Sequence, residues 1–317
     1  MEIEGYFEPK KSMKQSIKNA LIQAYEAIYP YLRRLKFDLR YRFRVMTAEQ
    51  TIAYIQKNRC SIARYGDGEF GLIHRSNNPD FQTHNDALAA RLAQVCVCKD
   101  PRLLVCVPHS FKTLSDCNEF AFKFWNWWLW TNDNLVRCAQ ILELKPFRTR
   151  VFGDAQITRP YMDWKDKQNA GKRFDLLKSL WQGRDVLIVE GEETRLGVGN
   201  DLLSGAASVR RILCPAKNAF DVYDEIEACV LAHAEKESLV LLALGPTATV
   251  LAHDLAMKDV QALDIGHIDI EYEWYRTGAT TKTVVAGKAT QEAHASGEDV
   301  LAADPVYRTQ IVARVGC

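Results

Sequence analysis

The 317 residues are 47% hydrophobic and 26% charged, with a formal net charge of +1, a composition that fits one large globular domain or two modest ones. A near-neutral total excludes a whole-protein field for nucleic acid, and no apolar run approaches the ~20 residues of a membrane span. Nine cysteines include one CxC, Cys96 and Cys98, but no CxxC and no zinc-site spacing, so they read as reduced thiols of a cytoplasmic protein.

The opening MEIEGYFEPKK lacks an apolar core and does not read as a secretory signal. Residues 9–44 then carry ten Lys or Arg against Glu26 and Asp38. Leu21, Ile22, Tyr25, Ile28 and Tyr29 fall between them at helical spacing, and Pro30 interrupts the run. This pattern predicts a helix pair, a basic helical N-terminal extension over 1–46 set apart from a domain over 47–317. Such an element packs on the main domain or in a homo-oligomer interface, or rests peripherally on anionic lipid or a partner enzyme.

Thr47 and Gln50 fit a capping box, predicting a helix that ends near Asn58. From there short runs rich in Val, Ile and Leu recur: SIARY (61–65), LLVCVP (103–108), RVFGDA (150–155), DVLIVEG (185–191), VRRILCP (209–215), LVLLALG (239–245) and VQALDIG (260–266). Helical patterns separate most of them, so they predict an α/β domain with a mostly parallel, Rossmann-like sheet flanked by helices. FAFKFWNWWLW (120–130) reads as a core or interface helix with Phe124, Trp127, Trp128 and Thr131 on one stripe. After Gly278 the chain turns polar, predicting a hairpin or short strands over 280–290 and an amphipathic end, PVYRTQIVARV.

In open parallel sheets ligands bind beyond the carboxyl ends of the strands, so the residues after each run carry the functional reading. After SIARY comes GDGEFG, where Asp67 and Glu69 sit between Gly66, Gly68 and Gly71, preceded by Arg64. At a separation of ~4 Å and an effective dielectric of ~20, two such charges repel by on the order of 4 kcal/mol. An oxygen-only pair suits a hard ion such as Mg²⁺ or Mn²⁺ shared with substrate phosphates. DVLIVEG leads to Glu192, Arg195 and a turn Gly197-Val198-Gly199, with Asn200 or Asp201 placed to cap a following helix and offer N–H groups to phosphate. VRRILCP leads to Lys217 and Asn218, and LVLLALG to Gly245-Pro246-Thr247, a compact strand-to-helix turn with Thr247 placed as cap. VQALDIG leads to His267, Asp269, Glu271 and Glu273, with His267 and Asp269 sharing a face if the strand continues. For each of these, an ordinary βα turn with solvated side chains is the competing account.

The blocks SIARYGDGEFGLI, DVLIVEGEETRLGVGNDLL, ILCPAKNAFDVYDEI, LLALGPTATVLAHDLA and ALDIGHIDIEYEW together resemble the GT-D-fold glycosyltransferases, a bacterial family first catalogued as a domain of unknown function. The resemblance runs from about Thr47 to the C-terminus and does not reach the basic N-terminal segment. It implies a metal-dependent transferase that takes sugar from a nucleotide sugar, typically UDP-glucose, to glycans built on cell-surface proteins or polysaccharides. By position the DxE motif falls on Asp67 and Glu69, the GPTA turn on Gly245 to Ala248, and an HxD on His267 and Asp269. Tyr65 stands where the family usually has phenylalanine.

In that reading Asp67, Glu69, His267 and Asp269 are the metal-ligand candidates. Arg64, Gly66, Arg195, Gly199, Asn200, Lys217, Asn218, Gly245, Pro246 and Thr247 are the nucleotide-sugar candidates. Glu192, Asp269 and Glu271 are candidates for the base of an inverting transfer. A metal-dependent nucleotide-sugar hydrolase or phosphotransferase, and a non-catalytic nucleotide-sugar-binding scaffold, stay open as alternatives.

Overall fold

A computed structural model describes residues 13–76, 81–145, 150–290 and 304–316. The acidic opening and the stretch from 291 to 303 therefore lie outside the described residues. Nine strands form one all-parallel sheet: β1 (Arg44–Val45), β2 (Ser61–Arg64), β3 (Leu103–Val107), β4 (Val151–Asp154), β5 (Asp185–Gly191), β6 (Ser208–Cys214), β7 (Leu239–Ala243), β8 (Ala262–Asp264) and β9 (Ile311–Arg314). Their order is β1-β4-β3-β2-β8-β7-β5-β6-β9. The chain builds outward from β2 toward one edge, then starts again on the other side, so the topological switch lies between β2 and β8.

The seven expected runs all become strands, because side chains alternate into two apolar layers. Ala63, Val105, Leu187, Val189, Val240 and Leu242 enter one core. Ile62, Leu104, Val186, Ile188, Leu241 and Leu263 enter the other. The last two runs end sooner than their apolar character suggested, at Ala243 and Asp264.

The helices are α1 (Met13–Arg40), α2 (Ala48–Asn58), α3 (Asp67–His74), α4 (Asp86–Cys96), α5 (Glu119–Trp130), α6 (Asn134–Ile141), α7 (Ala170–Lys178), α8 (Tyr223–His233), α9 (Pro246–Met257), α10 (Ile268–Arg276) and α11 (Pro305–Gln310). Helix α2 begins with the expected capping box, in which Thr47 Oγ1 accepts from Gln50 N at 3.2 Å and Gln50 Oε1 accepts from Thr47 N at 3.0 Å.

Four expectations need correction. Pro30 does not break the N-terminal element: α1 runs as one 28-residue helix, because losing a single backbone donor does not undo turns supported on both sides. Arg44 and Val45, expected in the extension, pair with β4 at the sheet edge. The buried face of α5 is Ala121, Trp125, Trp128 and Leu129, while Trp127 stays 61% exposed. Residues 281–290 form turns and irregular chain rather than a hairpin, whereas the C-terminal segment continues from α11 into β9 against β6. The eight described cysteines are unpaired, and six of them are buried. No described helix is long and apolar enough to cross a membrane.

Candidate active site

A cleft of about 390 Å³ opens over the carboxyl ends of the central strands, on both sides of the switch. Residues following β2, β3, β4, β5, β6, β7 and β8 all reach it. This is where a parallel sheet leaves its strand-end backbone groups and helix N-termini exposed to a ligand.

The acidic stretch after β2 folds as the first turn of α3. Gly66 is the N-cap and its N–H donates to Glu69 Oε2 at 2.7 Å, the one half of a capping box that a glycine N-cap allows. Asp67, at the first helical position, lines the cleft beside Gly66, Gly68 and Glu69. Burial pushes the Glu69 carboxyl up to about 7, with the nearby Asp264 adding to the effect. A carboxyl in that condition is short of positive charge.

Arg64 lines the same cleft, but its guanidinium is committed to the protein. It pairs with Asp264 Oδ1 at 3.0 Å and donates to Ala155 O at 3.1 Å and Thr158 Oγ1 at 2.7 Å. Asp264, at the end of β8, also accepts from Thr249 Oγ1 at 3.2 Å. It thus ties the two strands at the switch together. Asp264 is marked in the sequence only as an acid that closes a buried apolar run, a weaker signal than the paired acids after β2.

His267 and Asp269 both line the cleft, yet not as neighbours on one strand face. The strand ends at Asp264, His267 is the N-cap of α10 and Asp269 lies in its first turn. Asp269 Oδ1 accepts from Gly197 N at 2.9 Å and Asn200 Nδ2 at 2.7 Å, and Oδ2 pairs with the buried Lys288 at 2.6 Å. Glu271 points elsewhere: Oε2 accepts from the backbone N–H groups of Tyr161 and Met162 at 3.2 and 2.9 Å, and burial pushes its carboxyl up to about 7.

The turn after β5 does not run into a helix. Residues 195–207 form successive turns, so neither Asn200 nor Asp201 caps one. The reason is the pull of buried acids: Glu190 accepts from Leu196 N at 2.7 Å and from Arg211 at 2.6 Å, while Asp269 holds Gly197 and Asn200. Arg195 is buried with positive φ and donates to Gly287 O at 2.8 Å. Gly191 and Thr194 line the cleft, whereas Glu192 and Gly199 are exposed, and neither they nor Asn200 and Arg195 are among its walls.

Beyond β6, Asn218 lines the cleft and fixes its rim: its N–H donates to Phe81 O at 2.9 Å and its Oδ1 accepts from Thr83 N at 2.8 Å. Lys217 is exposed and outside the walls. Beyond β7, Gly245 is the N-cap of α9 at φ +55°, ψ −140°, and a Cβ there would lie 2.1 Å from the Phe81 ring. Only glycine fits that turn. Pro246 occupies the first helical turn as expected. Thr247 is not the cap; it is buried inside α9, and its Oγ1 has no partner among the described residues.

On the other side of the switch Pro108, Trp125, Gln156 and Arg159 complete the walls. Trp125, from the otherwise core-facing aromatic helix α5, thus borders the cleft. Gln156 was not legible beforehand, because its position depends on a 3-10 turn after β4.

Among the described residues no group of three or more His, Cys, Asp or Glu side chains forms a ready-made metal site. The acids present nevertheless fit a hard cation of the Mg²⁺ or Mn²⁺ kind. Such an ion takes one or two carboxylates and fills its remaining positions with water and substrate phosphate. Asp67 and Glu69, with the Glu69 carboxyl raised beside Asp264, offer that partial oxygen set.

Sequence and structure comparisons agree with this architecture. A family model described as "Glycosyltransferase GT-D fold" matches residues 62–293. A "Probable glycosyl transferase Gly" of Streptococcus gordonii is 39% identical over 272 residues, covering 86% of this chain and 39% of that protein. "Glycosyltransferase GlyD" of Streptococcus pneumoniae serotype 4 is 35% identical over 269 residues, covering 84% of this chain and 32% of that one. The chain thus spans only 39% and 32% of the length of these two curated relatives.

A solved structure described as a highly conserved domain of unknown function with a distinct glycosyltransferase fold has a TM-score of 0.80 at 39% identity, over 90% of this chain and all of its own. A glycosyltransferase structure from Streptococcus sanguinis has a TM-score of 0.78 at 37% identity, over 86% of this chain and all of its own. With the acid-bearing α3, the glycine turn into α9 and the family model all falling on one continuous sheet, the chain belongs to the GT-D-fold glycosyltransferases.

Proposed function

We propose that this chain transfers a hexosyl group from a nucleoside diphosphate sugar, with UDP-glucose the expected donor, to a hydroxyl of a glycan acceptor in cell-surface glycoprotein or polysaccharide assembly. One observation carries the reading: Asp67 and Glu69 line the same cleft at the switch point as the glycine turn at the N-terminus of α9. Acids that can share a cation therefore border one cleft with a helix N-terminus, the kind of site that suits a diphosphate.

Asp67 and Glu69 would hold Mn²⁺ or Mg²⁺, and the ion would supply Lewis-acid neutralisation of charge on the departing diphosphate. The chain's own contribution is placement. Gly66 N–H fixes one oxygen of Glu69 and keeps the carboxylate turned into the first turn of α3. Arg64, held by Asp264, lends positive charge to the cleft floor without being free to swing away. Helix α9 directs its N-terminal dipole toward the turn at Gly245, which the Phe81 ring flanks. Pro108, Trp125, Gln156 and Arg159 wall the opposite end, which leaves that side for the acceptor sugar. Asp269 accepts three hydrogen bonds and serves as an anchor in this reading rather than as the acceptor's base.

The test is nucleotide release from a panel of nucleotide sugars, with and without acceptor glycan and with and without Mn²⁺. Asp67→Asn and Glu69→Gln are the variants, the latter preserving an oxygen for Gly66 N–H. Loss of about 10²-fold or more in both variants supports the reading. Turnover that ignores both the metal and the substitutions would discard it, and full-rate release without any acceptor would favour a hydrolase.

A further inference from the structure

Among the described residues, helix α1 meets the domain through one face near its C-terminal end. There Phe37 is buried against Phe43 and meets Trp130 edge-on at 6.4 Å. Arg33 pairs with Asp133 at 2.9 Å and donates to Trp130 O at 3.0 Å, while Arg34 donates to Lys112 O at 2.9 Å. About half a turn away the helix presents the opposite character. Ile17, Leu21, Ile28, Leu32, Leu35 and Leu39 are all more than half exposed, between 54% and 72%. Their steps of four, seven, four, three and four keep them within about 60° of arc, a stripe about 33 Å long. Six aliphatic side chains left in water at one face are a docking surface rather than scattered exposure.

The charges beside the stripe select its occupant. Lys18 and Lys36 are exposed along one edge, near its two ends, and Asp38 at the other edge is already held by Arg34 at 3.0 Å. A second copy of α1 laid antiparallel would bring Lys18 of one copy against Lys36 of the other. Laid parallel, it would bring Lys18 against Ala20 and Lys36 against Asp38, which Arg34 already holds. Neither arrangement supplies the opposite charges that pair coiled-coil edges. A bilayer carrying anionic headgroups supplies both requirements, an apolar layer for the stripe and negative charge for the lysines.

We infer that α1 is an in-plane membrane anchor, seating this chain on an anionic phospholipid surface through Ile17, Leu21, Ile28, Leu32, Leu35 and Leu39. The inference is independent of the sugar chemistry, because none of these residues lines the cleft.

The experiment is co-sedimentation of the full chain with phosphatidylcholine vesicles containing about one-third phosphatidylglycerol, against phosphatidylcholine alone. Leu21→Asp with Ile28→Asp, and separately Lys18→Glu with Lys36→Glu, are measured beside the parent. Thermal unfolding checks that the domain is intact, and light scattering follows oligomeric state. We expect binding to the anionic vesicles that falls about tenfold or more in each variant and weakens with added salt, with an unchanged unfolding midpoint. No binding to either vesicle would overturn the inference, as would binding indifferent to the substitutions. A concentration-dependent dimer that the Leu21 and Ile28 changes dissolve, without vesicle binding, would assign the stripe to self-association instead.

Discussion

Helices α3 and α10 start from the adjacent strands β2 and β8 at the switch point, and both open with acids: Asp67 and Glu69 in one, Asp269 and Glu271 in the other, with Glu273 a turn further on. On α3 the acids border the cleft, and the Glu69 carboxyl is raised by burial and by its neighbour Asp264. On α10 they draw separate segments together. Asp269 takes the 197–200 turn and Lys288, Glu271 takes the backbone at 161–162, and Glu273 takes Asn200 and Lys288. An acid that follows a strand is thus no marker of chemistry by itself. The α10 acids are tied to donors far along the chain and to Lys288, which makes α10 a clasp, while α3 carries the pair proposed above to hold the ion.

The sharpest way to break this division is Lys288→Met. It removes the cation from a pair whose members are 1% and 3% exposed, so Asp269 is left buried without its partner. A loss of about 3–5 kcal/mol is expected, read from denaturant unfolding, and adding Asp269→Asn should recover part of it. A single variant as stable as the parent would deny α10 its role. Asp67→Asn should do the reverse: nucleotide release falls by about 10²–10³-fold while stability changes by no more than about 0.5 kcal/mol. Measuring both variants in both assays gives the crossed result that the comparison requires.

Glu271 adds a pH signature to the clasp. Its folded carboxyl is raised to about 7 from the ordinary 4.5, so between those values the folded chain keeps a proton that the unfolded chain has released. Its effect on stability is therefore most favourable at acidic pH and is lost as pH rises to about 7, by up to about 3 kcal/mol. Glu69 and Asp154, also near 7, act in the same direction. Glu271→Gln should accordingly flatten the fall in stability between pH ~5 and ~8 without abolishing it. An unaltered slope would mean that Glu271 is ionised in place.

The smallest effect concerns the joint between the two helices. Gly266 has φ +47°, and a Cβ there would lie 2.0 Å from Arg64 Nη2. Gly266→Ala should cost about 1–2 kcal/mol through backbone strain and push Arg64 off Asp264. Stability and turnover would then fall together, whereas the two helix-specific variants separate them.

Much of the sheet was legible in advance because buried parallel strands are apolar on both faces, and seven such runs stand out between helical patterns. The placement of Asp67, Glu69, Asn218 and Gly245 around one cleft was also legible, since strand ends in this architecture share a rim. Other expectations depended on partners far along the chain. Asn200 looked like a helix cap, but Asp269 and Glu273 claim its amide. Arg64 looked available to a phosphate, but Asp264, two hundred residues on, holds it. The 281–290 stretch resembled a hairpin, yet Lys288 is drawn into the interior by acids on α10.

By itself the sequence determined the local and periodic features: the Thr47–Gln50 cap, the two-sided apolar strands, the glycine turn before α9 and the acidic start of α3. Each depends on residues within a turn or two of one another, so nearby chemistry suffices. Only the tertiary structure decided which acids are tied into clasps, and which face of α1 is left uncovered. Those outcomes depend on competition among distant donors, cations and apolar surfaces for the same partner, and spacing along the chain does not encode who wins.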